Sequence, residues 1–128
     1  NGGRITGVVT SALETGGIVS SLPDRLIRTA TLSERKQVMM DMADLFVVFP
    51  GGIGTLDEAI SVLAAAHLQE HSKPVIFFNA GGFFNPLLDL FERFYKTGYA
   101  STEYRKHYAA VSDWNGCKGF LTEKLNEK

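Results

Sequence analysis

Short unbroken apolar runs alternate along the chain with segments whose apolar positions recur every three or four residues. The runs predict strands and the recurring segments predict helices. Leu45–Phe49 is the strongest run, apolar on both faces as a central parallel strand covered by helices should be. Ile5–Val9, Leu26–Thr29, Val75–Phe78 and Tyr108–Val111 are the other predicted strands. Helices are predicted after Thr31 as far as Ala43, over Leu56–Leu68, from Asn85 to the glycine stop at Gly98, and over Phe120–Leu125. Thr10–Pro23 is rich in Ser, Thr and Gly and reads as a loop with at most a brief helical turn, a candidate substrate-facing segment. Strands alternating with helices predict an α/β protein with a mainly parallel sheet.

Individual helices carry further information. Thr31-Leu32-Ser33-Glu34 fits a capping box, in which the threonine caps and the glutamate reaches back. In the helix that follows, Leu32, Met39, Met42 and Ala43 share one face, while Glu34, Gln37 and Asp41 share the opposite one. Arg35 falls inside the apolar arc and Lys36 at its edge. An arginine aimed at a core needs an anionic partner, from the protein or from a ligand; Lys36 can reach solvent along its own stem. The helix over 56–68 is apolar almost all round, with Ile60, Leu63, Ala64 and His67 near one stripe. Such a helix is expected to pack on the sheet and on a second surface, for which a second subunit is the natural candidate. Asn85-Pro86 reads as a cap followed by proline at the first helical position.

Composition narrows the function classes. The chain has 128 residues, a formal net charge of −1, 45% hydrophobic residues and 21% charged residues. That is an ordinary globular balance for one domain, with no electrostatic case for nucleic acid or an anionic membrane. No apolar run approaches the roughly 18 residues of a membrane span, and the lone Cys117 points away from disulfide frameworks and toward a reducing cytoplasm. His67 and His71 lack the partners of a metal site and read as structural, as does the aromatic run Phe77, Phe78, Phe83 and Phe84. The chain begins at Asn1-Gly2-Gly3 without a methionine, the expected sign of a fragment.

Candidate chemistry concentrates where the run Leu45–Phe49 meets Pro50-Gly51-Gly52-Ile53-Gly54-Thr55-Leu56-Asp57-Glu58. A strand, a glycine loop and a helix start present backbone N–H groups and the positive end of a helix dipole to an anion. The loop matches neither the dinucleotide fingerprint nor a Walker A motif. Two readings fit it: a phosphate cradle, or a turn that uses glycine for its backbone freedom. Two readings also fit Glu58. Thr55-x-x-Glu58 is itself a capping box, which would account for the glutamate without chemistry; alternatively, Glu58 acts beside a bound phosphate. Asp57 suits a first helical turn in either case.

Arg35-Lys36, a strand, and then Pro50-Gly51-Gly52-x-Gly54-Thr55-x-x-Glu58 together resemble the LONELY GUY (LOG) family, cytokinin riboside 5′-monophosphate phosphoribohydrolases long labelled possible lysine decarboxylases. The likeness runs from Gly2-Gly3 to about Ala100 and includes Lys73-Pro74-Val75 and Gly82-Phe83-Phe84-Asn85. It implies a Rossmann-like three-layer fold and hydrolysis of the N-glycosidic bond of a nucleoside 5′-monophosphate, AMP or a cytokinin riboside monophosphate. By the same likeness Arg35 and Glu58 are the catalytic pair. Lys36, Gly51, Gly52, Ile53, Gly54, Thr55 and Asp57 are the substrate-binding set, with no cofactor or metal, a cytoplasmic location and a homodimer. Where many members read Met-His-x-Arg-Lys, this chain reads Leu32-Ser33-Glu34-Arg35-Lys36. The likeness also implies opening strands before Asn1, so the chain is expected to be a single domain truncated at its N-terminus. The competing reading is a non-catalytic nucleotide or cofactor carrier resembling the molybdenum-cofactor carrier proteins, which share the glycine loop.

Overall fold

The computed structural model describes residues 2–12 and 23–126. They form two compact units, Asn1–Ala43 and Asp44–Lys128. In the second unit strands and helices alternate, and in both units every strand pair is parallel, the arrangement of a Rossmann-like α/β protein. The loop expected over Thr10–Pro23 lies largely outside the described residues.

The first unit holds β1 (Thr6–Thr10), β2 (Arg25–Thr29) and α1 (Leu32–Met42). β1 and β2 pair from Thr6 opposite Arg25 to Thr10 opposite Thr29, and α1 packs on both. Thr29 is buried at its strand end, where its hydroxyl lies 3.1 Å from the Val9 carbonyl. The expected cap is present: Thr31 Oγ1 accepts from the Glu34 N–H at 3.1 Å. Glu34 reaches back one residue further than a standard box, accepting from the Ala30 N–H at 2.7 Å. The apolar face of α1 departs from expectation. Leu32 and Met42 are exposed, and the half-buried positions are Arg35, Lys36, Val38, Met39, Met40 and Ala43. The face turned toward the strands is therefore rotated onto Arg35, because that side chain finds a hydrogen-bond partner on β1.

The second unit holds β3 (Phe46–Val48), α2 (Ile53–His67), β4 (Val75–Phe78), α3 (Asn85–Thr97), β5 (Tyr108–Val111) and α4 (Trp114–Asn126). A 3-10 segment, Thr102–His107, precedes β5. The three strands are ordered β3-β4-β5. The middle of the three is thus β4 rather than β3, and Val75, Ile76 and Phe77 are fully buried. Apolar content alone does not set this order, since pairing depends on contacts distant in sequence. Phe77 anchors this core against the rings of Phe84 at 5.1 Å, Tyr108 at 5.9 Å and Phe91 at 6.3 Å. The phenylalanine cluster is core packing, with Phe83 alone of the four left exposed. Cys117 is completely buried, in keeping with an inert thiol.

Both helix ends of this unit are informative. α3 stops at Gly98 in the left-handed region, φ 77°, as expected of a glycine C-terminal signal. α2 ends in the same geometry without a glycine. Gln69 has φ 63°, its N–H donates to the Ala66 carbonyl at 3.1 Å, and the Glu70 N–H donates to the Ala65 carbonyl at 3.0 Å. This is a Schellman motif whose left-handed position carries a Cβ. Gln69→Gly is therefore expected to raise the stability of the fold by about 0.5–1 kcal/mol, read as a higher urea midpoint at unchanged slope.

Candidate functional site

At the carboxyl end of β3 the chain leaves the sheet through the exposed residues Phe49, Pro50 and Gly51, and α2 begins at once. Gly52 is the N-cap, with φ −92° and ψ −157°, and no side chain caps the helix. The first intrahelical bond runs from the Leu56 N–H to the Gly52 carbonyl at 3.1 Å. The N–H groups of Gly52, Ile53, Gly54 and Thr55 are accordingly the four that an α-helix cannot satisfy internally. They stand at the positive end of a 15-residue helix dipole with no acidic side chain in the first turn.

This start lies three residues earlier than the pattern of apolar positions implied, because Gly52 and Gly54 belong to the helix while reading as loop. The change decides one of the open questions. Thr55 is the third helical residue rather than the cap, so Thr55-x-x-Glu58 is not a capping box here. Glu58 is the sixth helical residue and half-buried, while Asp57 is exposed. Positions 54, 55 and 58 are three and four apart and so share one face of α2, with neighbouring Cβ atoms about 5–6 Å apart. The Glu58 side chain is thus held about one turn from the uncapped amides.

The three glycines of the loop have different reasons to be glycine. A Cβ on Gly51 would fall 2.3 Å from Thr55 Oγ1 and 2.9 Å from Thr55 Cβ, so the threonine seats directly on the Gly51 backbone. A Cβ on Gly52 or Gly54 would meet nothing within 4 Å, and neither residue has a positive φ. Neither is needed for the turn, and Gly54 costs helix stability relative to alanine. Ile53, between them, is 84% exposed.

Beside this loop, at the carboxyl end of the neighbouring strand β4, a second turn is pinned by two asparagines. Asn79 Oδ1 accepts from the Phe84 N–H at 2.7 Å, and Asn79 Nδ2 donates to Asn85 Oδ1 at 2.8 Å. Asn85 is consequently not the cap of α3. Phe84 occupies that position, and the Asn85 side chain is spent on Asn79. Gly82, with φ 73°, leaves room for it, since a Cβ there would meet Asn85 Nδ2 at 2.7 Å. This turn was not read from the sequence as part of a site. Its signal was the pair Asn79 and Asn85 flanking two glycines.

Arg35 and Lys36 belong to the first unit, whereas Gly51, Gly52, Ile53, Gly54, Thr55, Asp57 and Glu58 are gathered around the start of α2 in the second. Arg35 Nε donates to the Val8 carbonyl of β1 at 2.8 Å. A backbone dipole thus supplies a partner for the half-buried guanidinium, and it fixes the side chain against the strand. Lys36 is half-buried beside it.

The profile of the family described as "Possible lysine decarboxylase" matches residues 1–117. The chain belongs to this family. It is 38% identical over 100 residues to a cytokinin riboside 5′-monophosphate phosphoribohydrolase of Mycobacterium tuberculosis, covering 78% of this chain and 54% of the relative. It is 34% identical over 110 residues to cytokinin riboside 5′-monophosphate phosphoribohydrolase LOG5 of Arabidopsis thaliana, covering 86% and 48%. The chain therefore spans about half the length of the curated relatives it matches. No helix among the described residues is long and apolar enough to cross a membrane.

Proposed function

We propose that the protein carrying this chain is a phosphoribohydrolase acting on a nucleoside 5′-monophosphate, AMP or a cytokinin riboside monophosphate. Water adds to C1′ of the ribose, and the C1′–N bond breaks with its electron pair going to the base. The water proton ends on the base, so the products are free base and ribose 5-phosphate. The observation that carries this reading is the start of α2, which no side chain caps and where a Cβ on Gly52 or Gly54 would meet open space, with Glu58 one turn away. Glycine at an open position lets a ligand approach the backbone closely, and the amides of Gly52 to Thr55 suit a phosphate.

In this reading Gly51, Gly52, Ile53, Gly54 and Thr55 hold the phosphate, and Asp57 borders the cradle. Glu58 stabilises the positive charge that develops on the sugar and orients the attacking water. Arg35 is the second catalytic group, and Lys36 adds positive charge for the phosphate. The two compact units belong to one domain. Homodimerisation through the apolar face of α2, where Ile60 is exposed, and a cytoplasmic location complete the proposal. The test is incubation of the full-length protein with AMP and with isopentenyladenosine monophosphate, followed by chromatography for base and ribose 5-phosphate. Equal amounts of both products from at least one substrate are expected; binding of both nucleotides without release of base from either would overturn the reading.

A further inference from the structure

Phe49 is the first residue past β3 and stands three positions before Gly52. It has little part in the core. β3 gives the core Val48, 9% exposed, whereas Phe49 is 53% exposed. Phe77, Phe84 and Phe91 show what the core of this unit does with such a ring, since none of them is more than 8% exposed. Partial exposure does not leave the Phe49 side chain unsupported. Its ring packs on that of Phe78 at the end of the neighbouring strand, with centroids 5.2 Å apart and planes inclined by 41°. Strand register accounts for the contact: Val48 lies opposite Phe77, so Phe49 and Phe78 follow as the next pair. A ring backed by a second ring, with half its surface open to solvent, is a preorganised surface for another aromatic group.

Its place is beside the cradle. Three residues of chain span at most about 11 Å, so the Phe49 backbone lies no farther than that from Gly52. A nucleoside 5′-monophosphate reaches comparably far from its phosphorus to its base. Ligands of open α/β sheets lie across the carboxyl ends of the strands, and Phe49 is the aromatic residue at that end of β3. With the phosphate on the amides of Gly52 to Thr55 and the ribose at Glu58, the base is the part of the ligand still without a contact. We infer that Phe49 binds the base of the nucleotide by stacking on its ring face. This inference rests on the phosphoribohydrolase reading above and adds to it the residue that recognises the base. Every base has a π-face, so the contact confers preference for a nucleotide over its sugar phosphate without choosing among bases.

Two neighbouring apolar residues are less suited. Ile53 is more exposed than Phe49 but has no ring to stack. Phe83, 52% exposed, belongs to the turn beyond β4, and its ring stands edge-on to Phe84 at 5.0 Å. It is therefore carried by a different strand end from the cradle.

The test measures the binding of two probes to the full-length protein, native and Phe49→Ala, by titration calorimetry. One is carbocyclic AMP, whose methylene in place of the ring oxygen prevents hydrolysis during the measurement. The other is ribose 5-phosphate, which lacks a base. The native protein should bind carbocyclic AMP more tightly than ribose 5-phosphate. Phe49→Ala should weaken carbocyclic AMP by at least about fivefold and leave ribose 5-phosphate within about twofold. Unchanged affinity for carbocyclic AMP, or equal losses for the two probes, overturns the inference and leaves the cradle in place. Native protein that binds neither probe overturns the cradle reading, and the base contact with it. Should Phe49→Ala fail to fold, Phe49→Tyr and Phe49→Leu decide. Tyrosine keeps the ring and should hold carbocyclic AMP within about twofold, whereas leucine keeps only apolar bulk and should lose at least about threefold. Equal affinity in these two variants overturns stacking.

Discussion

Base release from nucleoside 5′-monophosphate should fall by at least about 100-fold in Glu58→Gln, with nucleotide affinity preserved within a few-fold. The amide keeps the size of the side chain and its place on α2, so the helix and its uncapped amides remain. What disappears is the negative charge that, in the proposed reaction, faces a sugar becoming cationic as the glycosidic bond breaks. Had Glu58 served only a capping box, glutamine would fill that role as well, and both turnover and stability would stay largely intact. The start of α2 at Ile53 argues against that outcome, because the capping position belongs to Gly52. Single-turnover rates and thermal melts on the same preparation of full-length protein separate the two; near-native turnover in Glu58→Gln would remove Glu58 from the chemistry.

Alanine at Gly51 and at Gly54 should act in opposite directions on the fold. A Cβ on Gly51 meets Thr55 Oγ1 at 2.3 Å, and both groups are set on backbone that must move to relieve it. Overpacking of this kind costs about 1–3 kcal/mol, and it displaces the amides, so nucleotide binding is lost with stability. Gly54→Ala meets nothing within 4 Å and adds a better helix former to the first turn of α2. It should stabilise the fold by about 0.5–1 kcal/mol. If Gly54 borders the proposed phosphate cradle, nucleotide affinity should nevertheless fall roughly tenfold or more, since the new methyl would stand in the ligand's path to the backbone. Denaturant melts and equilibrium titration with AMP read both variants. A Gly54→Ala protein with undiminished affinity would show that this glycine has no ligand to accommodate.

Much of the fold was legible because it is locally encoded. The strand over Tyr108–Val111, the cap at Thr31, and the stop at Gly98 each rest on residues within a turn of one another. Gly52 and Gly54 have weak helix preference, so the local pattern sets the start of α2 too late and leaves Thr55 open as a cap, whereas the helix begins at Ile53. Asn85 has the right type and place for a cap, yet its side chain is claimed by Asn79, six residues earlier. Leu32 and Met42 fit an apolar stripe, yet Arg35 turns toward β1, because the Val8 carbonyl accepts its Nε–H.

By itself, then, the sequence determined the parallel α/β class, the strand–glycine loop–helix junction, and the family to which Arg35, Lys36 and Glu58 point. Each of these is written in apolar period, in turn chemistry, or in a motif of contiguous residues. Only the tertiary structure decided that β4 is the middle strand of its unit, and that Gly51 is required by Thr55 while Gly52 and Gly54 are not. It alone set the Phe49 ring against Phe78 of the neighbouring strand. These facts depend on which distant residues come within a few ångströms of one another, and no local pattern of polarity records that.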